Sequence, residues 1–82
     1  MKRNAFKKAL AKKGIHICGN TEDFDGSKGG IWLSAEHSDH FNYYAESPSY
    51  TLGIQNDIQE YAEKHGWYFE WHDCGTIMAW ES

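Results

Sequence analysis

The stretch Trp67-Tyr68-Phe69-Glu70-Trp71-His72-Asp73-Cys74-Gly75-Thr76-Ile77-Met78-Ala79-Trp80 decides the fold. From Trp67 to His72 the residues alternate with period two, the pattern of a half-buried strand, and Gly75 stands where a tight turn needs it. A two-residue Cys74-Gly75 loop predicts a hairpin that pairs Asp73 with Thr76, Trp71 with Met78 and Phe69 with Trp80. That register sets Trp67, Phe69, Trp71, Met78 and Trp80 on one face as the expected core. Tyr68, Glu70, His72, Ile77 and Ala79 take the other face, which is half polar and suits solvent or an interface.

Working back from the hairpin, Ile54, Ile58, Tyr61 and Ala62 fall at i, i+4, i+7 and i+8, which predicts a helix from about Thr51 or Ile54 to His65, ended by Gly66. Ile31 to Glu36 and Phe41 to Glu46 read as a strand pair around His37-Ser38-Asp39-His40, with an open register. Gly19 to Gly30 is a polar loop with four glycines, expected to be mobile or ligand-facing, and Ile15 to Cys18 alternates as a short strand. The first element is a helix from about Lys2 to Lys13, with Phe6, Ala9 and Leu10 as its apolar stripe and Gly14 as its stop. The fold class is α+β: a small antiparallel sheet with two helices, in the order α-β-β-β-α-β-β, forming a single domain over residues 1–82.

At 82 residues such a domain sits near the size below which one hydrophobic core stabilises poorly. Thirteen aromatic residues offset this, each able to bury roughly 150–250 Å². Cys18 and Cys74 form no C-x-x-C pair, so they read as free thiols rather than as a disulfide or zinc framework. The run Phe6-Lys7-Lys8-Ala9-Leu10-Ala11-Lys12-Lys13 lacks the apolar stretch of a signal peptide, and nothing approaches a membrane span, so a cytoplasmic location is expected.

The net charge of −4 conceals a polarity. Lys2, Arg3, Lys7, Lys8, Lys12 and Lys13 occupy the first thirteen positions, which hold no acid. The remainder carries twelve acids against Lys28 and Lys64, a balance of −10. Such a separation bears on steering and partners, not on fold.

The motifs that carry chemistry are incomplete. His37-x-x-His40 with His72-x-Cys74 would make a four-ligand zinc set, but nothing in the sequence brings the two turns together, and turn or surface histidines are the simpler reading. Thr21 to Ser27 crowds Glu22, Asp23 and Asp25 beside Gly26 without the spacing of a calcium loop. Gly26-Ser27-Lys28-Gly29-Gly30 lacks the spacing of a phosphate loop. No cofactor or metal is therefore expected. His37 or His40 beside Glu36 and Asp39 could act as acid and base in a small metal-independent ribonuclease, yet strand neighbours point to opposite faces and no nucleophile motif accompanies them. The basic first helix and the sheet aromatics would suit RNA, which the acidic body repels.

Binding to protein ranks above these. Asp57, Glu60 and Glu63 rise by about 4.5 Å per step along the second helix, opposite its apolar side. Glu36, Asp39 and Glu46 flank the middle hairpin. Tyr43, Tyr44, Tyr50 and Tyr68 lie among acids, the usual composition of an interface patch. Acid rows of this kind could fill the channel of a nucleic-acid-binding protein, although each row alone also describes an ordinary solvated face.

Short, acidic, aromatic-rich and free of motifs, opening on Met1-Lys2-Arg3 and closing on a Trp-rich hairpin, the chain resembles in overall character the small accessory proteins of bacteriophages and other mobile elements. That resemblance implies a protein that binds and blocks a host enzyme, restriction and CRISPR nucleases included, and it transfers no functional residue. The expected function is a non-enzymatic module that inhibits or modulates a larger basic protein or nucleoprotein by steric occlusion. Carboxylates would steer it and aromatics would supply the buried contacts. The expected partner-binding residues are Glu36, Asp39, Tyr43, Tyr44, Asp57, Glu60, Glu63 and Tyr68. The alternative is an RNA-binding protein or ribonuclease using the basic helix with His37 and His40.

Overall fold

A computed structural model describes residues 1–82. The elements are α1 (Arg3–Lys12), β1 (Ile17–Asn20), α2 (Thr21–Phe24), β2 (Ile31–Ser34), β3 (Tyr50–Thr51), β4 (Ile54–Gln55), α3 (Asn56–Lys64), β5 (Trp67–Asp73) and β6 (Thr76–Glu81). The fold is α+β, as expected. An antiparallel four-stranded sheet runs in the order β1-β2-β6-β5, and β3 and β4 form a separate small hairpin. No helix is long and apolar enough to cross a membrane.

Both long helices lie on one face of the sheet. Phe6 and Leu10, one turn apart on α1, and Ile58 and Ala62, one turn apart on α3, are buried in a single cluster with Ile31, Leu33, Trp67, Ile77 and Ala79. Phe6 is its hinge pin, nearly parallel to the Trp67 ring at 5.0 Å and to Tyr61 at 6.2 Å. Phe69 and Phe41 meet edge to face at 5.1 Å. The rings that compensate for small size thus pack mostly on one another.

The β5–β6 turn forms at Cys74-Gly75 and pairs Asp73 with Thr76, as expected, but the register beyond it is shifted by one residue. A bulge between Trp71 and Asp73 pairs Trp71 with Ile77, Phe69 with Ala79 and Tyr68 with Trp80. Because side chains alternate with period two, this one extra residue exchanges the faces of β6. Ile77 and Ala79 enter the core, while Met78 and Trp80 join Tyr68 and Glu70 on the opposite face.

Three other expectations are corrected. The segment 41–46 is not a strand: Phe41 makes one bridge to Ile54, and Asn42 Oδ1 accepts the Tyr44 N–H at 3.1 Å, a side-chain turn that competes with sheet pairing. The neighbours of β2 are instead β1 and β6. The first strand begins at Ile17 rather than Ile15, whose N–H still bonds the Leu10 carbonyl at the end of α1. The glycine-rich segment 19–30 is not all loop: Gly19 and Asn20 end β1, Thr21–Phe24 form α2, and Thr21 Oγ1 ties the rest by donating to the Ser27 carbonyl at 2.8 Å and accepting the Gly30 N–H at 3.0 Å.

Turn carboxylates give the fold an acid sensitivity. Backbone N–H groups, that of Gly29 among them, and the Arg3 guanidinium hold Glu22 below its ordinary pKa. The Ser27 backbone N–H and hydroxyl do the same for Asp25, and the Gly75 N–H for Asp73. A carboxyl depressed in the folded state stabilises above its unfolded pKa, and that stabilisation is lost as pH falls through the folded value. The urea midpoint is therefore expected to hold from neutrality to about pH 5 and to fall between about pH 5 and about pH 3. A midpoint unchanged across that interval would show that the bonds to these three carboxylates contribute nothing to folding.

Candidate docking surface

One end of the molecule collects three loops: the segment 41–46, the β3–β4 hairpin and the β5–β6 turn. Their junction is Gly53. It is buried at φ 78°, and a Cβ there would lie 2.8 Å from the Asn42 carbonyl oxygen and 3.1 Å from the Trp71 ring. The Trp71 Nε1–H donates to the Leu52 carbonyl at 2.7 Å, and the Asn42 N–H to the Gly53 carbonyl at 2.8 Å. Tyr43 stands edge-on to Trp71 at 5.2 Å and to Tyr44 at 5.3 Å.

This support holds three large side chains out of the protein. Leu52 is 86% exposed, Tyr44 76% and Tyr43 50%. Leu52 also has φ 51°, and with Gly53 it forms a turn in which both central residues are left-handed. Asn or Gly suits that position, whereas a leucine there costs about 1–2 kcal/mol. A strained, solvent-facing leucine beside two exposed tyrosines runs against what stability alone would select, and such features cluster at ligand clamps.

The electrostatics are one-sided. No Lys or Arg occurs between Gly29 and Glu63 or after Lys64, while Glu36, Asp39, Glu46 and Asp73 do. Glu36 reaches under the β5–β6 turn, with Oε1 3.3 Å from where a Cβ on Gly75 would be. Negative charge on the neighbouring Cys74 sulfur, then burial and Tyr43, raise the Tyr44 phenol above its ordinary pKa.

The structure divides the expected binding residues among three surfaces. Tyr43 and Tyr44 stand at the tip, with Glu36 behind them. Asp39 is exposed, and its carbonyl receives the Tyr50 hydroxyl at 2.6 Å. Asp57, Glu60 and Glu63 are exposed along α3, away from buried Ile58 and Ala62. Tyr68, 44% exposed, lies on the sheet face opposite the helices. Sequence reasoning missed Leu52, because the helical spacing running back from Ile54 overlay the short hairpin; the available signal was a Leu-Gly pair between two short β-forming dipeptides.

The histidines are placed apart. His40 bridges two elements, with Nδ1 2.9 Å from Gln55 Oε1 and Nε2 3.0 Å from the Lys13 carbonyl, so both nitrogens are engaged. His37 is exposed at φ 56°, and His72 sits edge-on to Phe24 at 4.8 Å. No group of three or more His, Cys, Asp or Glu residues is assembled as a metal site. A cleft of about 450 Å³ is lined by His16, Cys18, Ser34, Glu36 and His37 among others; Cys18 is exposed there, and partial desolvation, then Glu36, raise its thiol above the ordinary value.

Compared with protein-family models, with curated proteins and with solved structures, the chain matches none.

Proposed function

We propose that this chain is a non-enzymatic protein-binding module that inhibits or modulates a larger, cationic, nucleic-acid-handling protein by covering its working surface. The observation that carries the reading is the Leu52–Tyr43–Tyr44 tip: exposed apolar anchors on a rigid support, in a stretch, residues 29–63, with carboxylates and no lysine or arginine. Leu52 would enter an apolar pocket of the partner, the tyrosines would close the surrounding contact, and the carboxylates would speed encounter. The acid row Asp57, Glu60 and Glu63 fits the same partner as a steering surface. In its finer form the partner is a host nuclease directed against foreign DNA, the class implied by the resemblance to phage accessory proteins.

Affinity capture from a bacterial lysate at about physiological salt, with and without nuclease, tests this against Leu52→Asn and Tyr44→Ala variants. Asn tolerates the left-handed backbone that strains Leu52, so the first variant keeps the fold while removing the anchor. Wild-type protein is expected to retain one stoichiometric protein partner, and each variant to lose at least about 30-fold in affinity, the scale of a hot-spot residue. Undiminished capture by both variants would remove the tip from the interface. A specific observation favours a second reading: Lys8, Lys12 and Lys13 rim a groove floored by Ala5, Ala9 and Tyr61, a surface fit for nucleic acid. Enrichment of nucleic acid alone would favour it.

A further inference from the structure

The two long helices cover one face of the four-stranded sheet, and on the other only the one-turn helix α2 packs, at one side. Across that open face Trp32 on β2, Met78 on β6 and Glu70 on β5 are register neighbours, and Tyr68 pairs with Trp80 in the next row. Met78 is buried while Trp32 and Trp80 remain half-buried, so the face is a packed aromatic floor. Phe24, projecting from α2, closes one side by leaning on Trp32 at 5.0 Å and on His72 at 4.8 Å. Glu70 is exposed and takes no part in the protein's one ion pair, Arg3 with Glu22. None of the four strands contains a lysine or arginine, and Asp23, Asp25 and Asp73 add exposed negative charge at or beside α2 and the end of β5.

An open antiparallel sheet with exposed rings can serve to stack nucleobases, but that use needs cations beside the rings to hold the phosphates. The charge here is of the opposite sign. Aromatic faces next to an unpaired carboxylate attract guanidinium and ammonium groups, through the ring quadrupole and through the ion pair.

We propose that the uncovered sheet face is a cation-receiving subsite, where Glu70 pairs with an arginine of an extended basic polypeptide segment lying across Trp32 and Tyr68. It rests on the reading of a cationic protein partner, on a surface distinct from the Leu52 tip. The arginine stem packs on the rings and the guanidinium meets the Glu70 carboxylate, while neighbouring basic residues are drawn by Asp23, Asp25 and Asp73.

The test is an NMR titration of the full chain with an oligo-arginine peptide at low salt, with oligouridylate as a parallel probe. Amide and indole shifts are expected to concentrate at Trp32, Tyr68, Glu70 and His72. Glu70→Gln is expected to weaken peptide binding about 3–5-fold, and Glu70→Gln with Tyr68→Leu about ten-fold, as exposed ion-pair and cation–π contributions imply. Gln59→Ala on α3 is expected to change nothing. Shifts confined to α3, equal affinity for wild type and Glu70→Gln, or oligouridylate displacing the peptide pattern with its own shifts on the same residues would each overturn the proposal. Leu52→Asn retains full peptide binding if the subsite is real, so failure of the lysate capture and failure of this titration are separate results.

Discussion

Replacement of Phe6 by alanine is expected to remove about 3–5 kcal/mol of folding free energy, the largest loss of any single truncation in the core. Phe6 is fully buried, and its ring is the surface on which α1, α3 and β5 meet: Trp67 stacks on it at 5.0 Å, Tyr61 at 6.2 Å, and Phe69 approaches at 6.4 Å. Truncating a buried phenylalanine costs about 3–5 kcal/mol, because the cavity left behind collapses only in part. At typical values per residue a chain of this length has about 4–12 kcal/mol of stability in total. The loss is thus a large fraction of everything available, and at the low end all of it. Urea denaturation followed by circular dichroism measures it, with Phe6→Leu as the milder control that refills part of the cavity. A loss below about 1 kcal/mol for Phe6→Ala would mean that α1 is held to the sheet by something other than this ring.

Gly53→Ala is the second large effect, and it acts on the docking surface rather than on the main core. The added methyl meets backbone, the Asn42 carbonyl at 2.8 Å, and a ring fixed by its own hydrogen bond, Trp71 at 3.1 Å. Neither neighbour can rotate away cheaply. The positive φ adds about 1–2 kcal/mol and the overpacking about 1–3 kcal/mol, so a total of about 2–5 kcal/mol is expected. The Trp71 indole N–H resonance reports the damage directly, since its bond to the Leu52 carbonyl depends on the same turn. The expected result is loss of that resonance's native position with β5 and β6 still paired. An unmoved resonance and unchanged stability would show that the hairpin does not rest on Gly53.

How far the sequence discloses this molecule depends on whether a feature is periodic. The two long helices are legible because Phe6 with Leu10, and Ile58 with Ala62, repeat at one-turn spacing. The β5–β6 turn is legible because Gly75 interrupts an alternating run. The register beyond it is not, since the bulge at His72 is one extra residue without a compositional mark, and it carries Met78 and Trp80 to the other face. Tyr43-Tyr44 has the composition of a strand, yet the Asn42 side chain captures the Tyr44 N–H and turns the chain away. For the docking surface, tyrosines among acids point to Tyr43, Tyr44 and Tyr68. Leucine carries no signal for a left-handed backbone, so the Leu52-Gly53 pair marks at most a turn, and the strain at Leu52 is seen in the structure.

The strand order β1-β2-β6-β5 sets β6 in the interior of the sheet, between β2 and β5. β2 is made early and waits for a neighbour some forty residues downstream, pairing Ile31 with Ala79 and Leu33 with Ile77. During synthesis, then, Ile31 and Leu33 have no strand on that side until Thr76–Glu81 leave the ribosome, and loop closure of that span must precede any sheet larger than a hairpin. The nascent chain holds its most apolar strand unsheltered almost to the end of translation of this domain, the interval in which a chaperone that grips short hydrophobic segments has its opening.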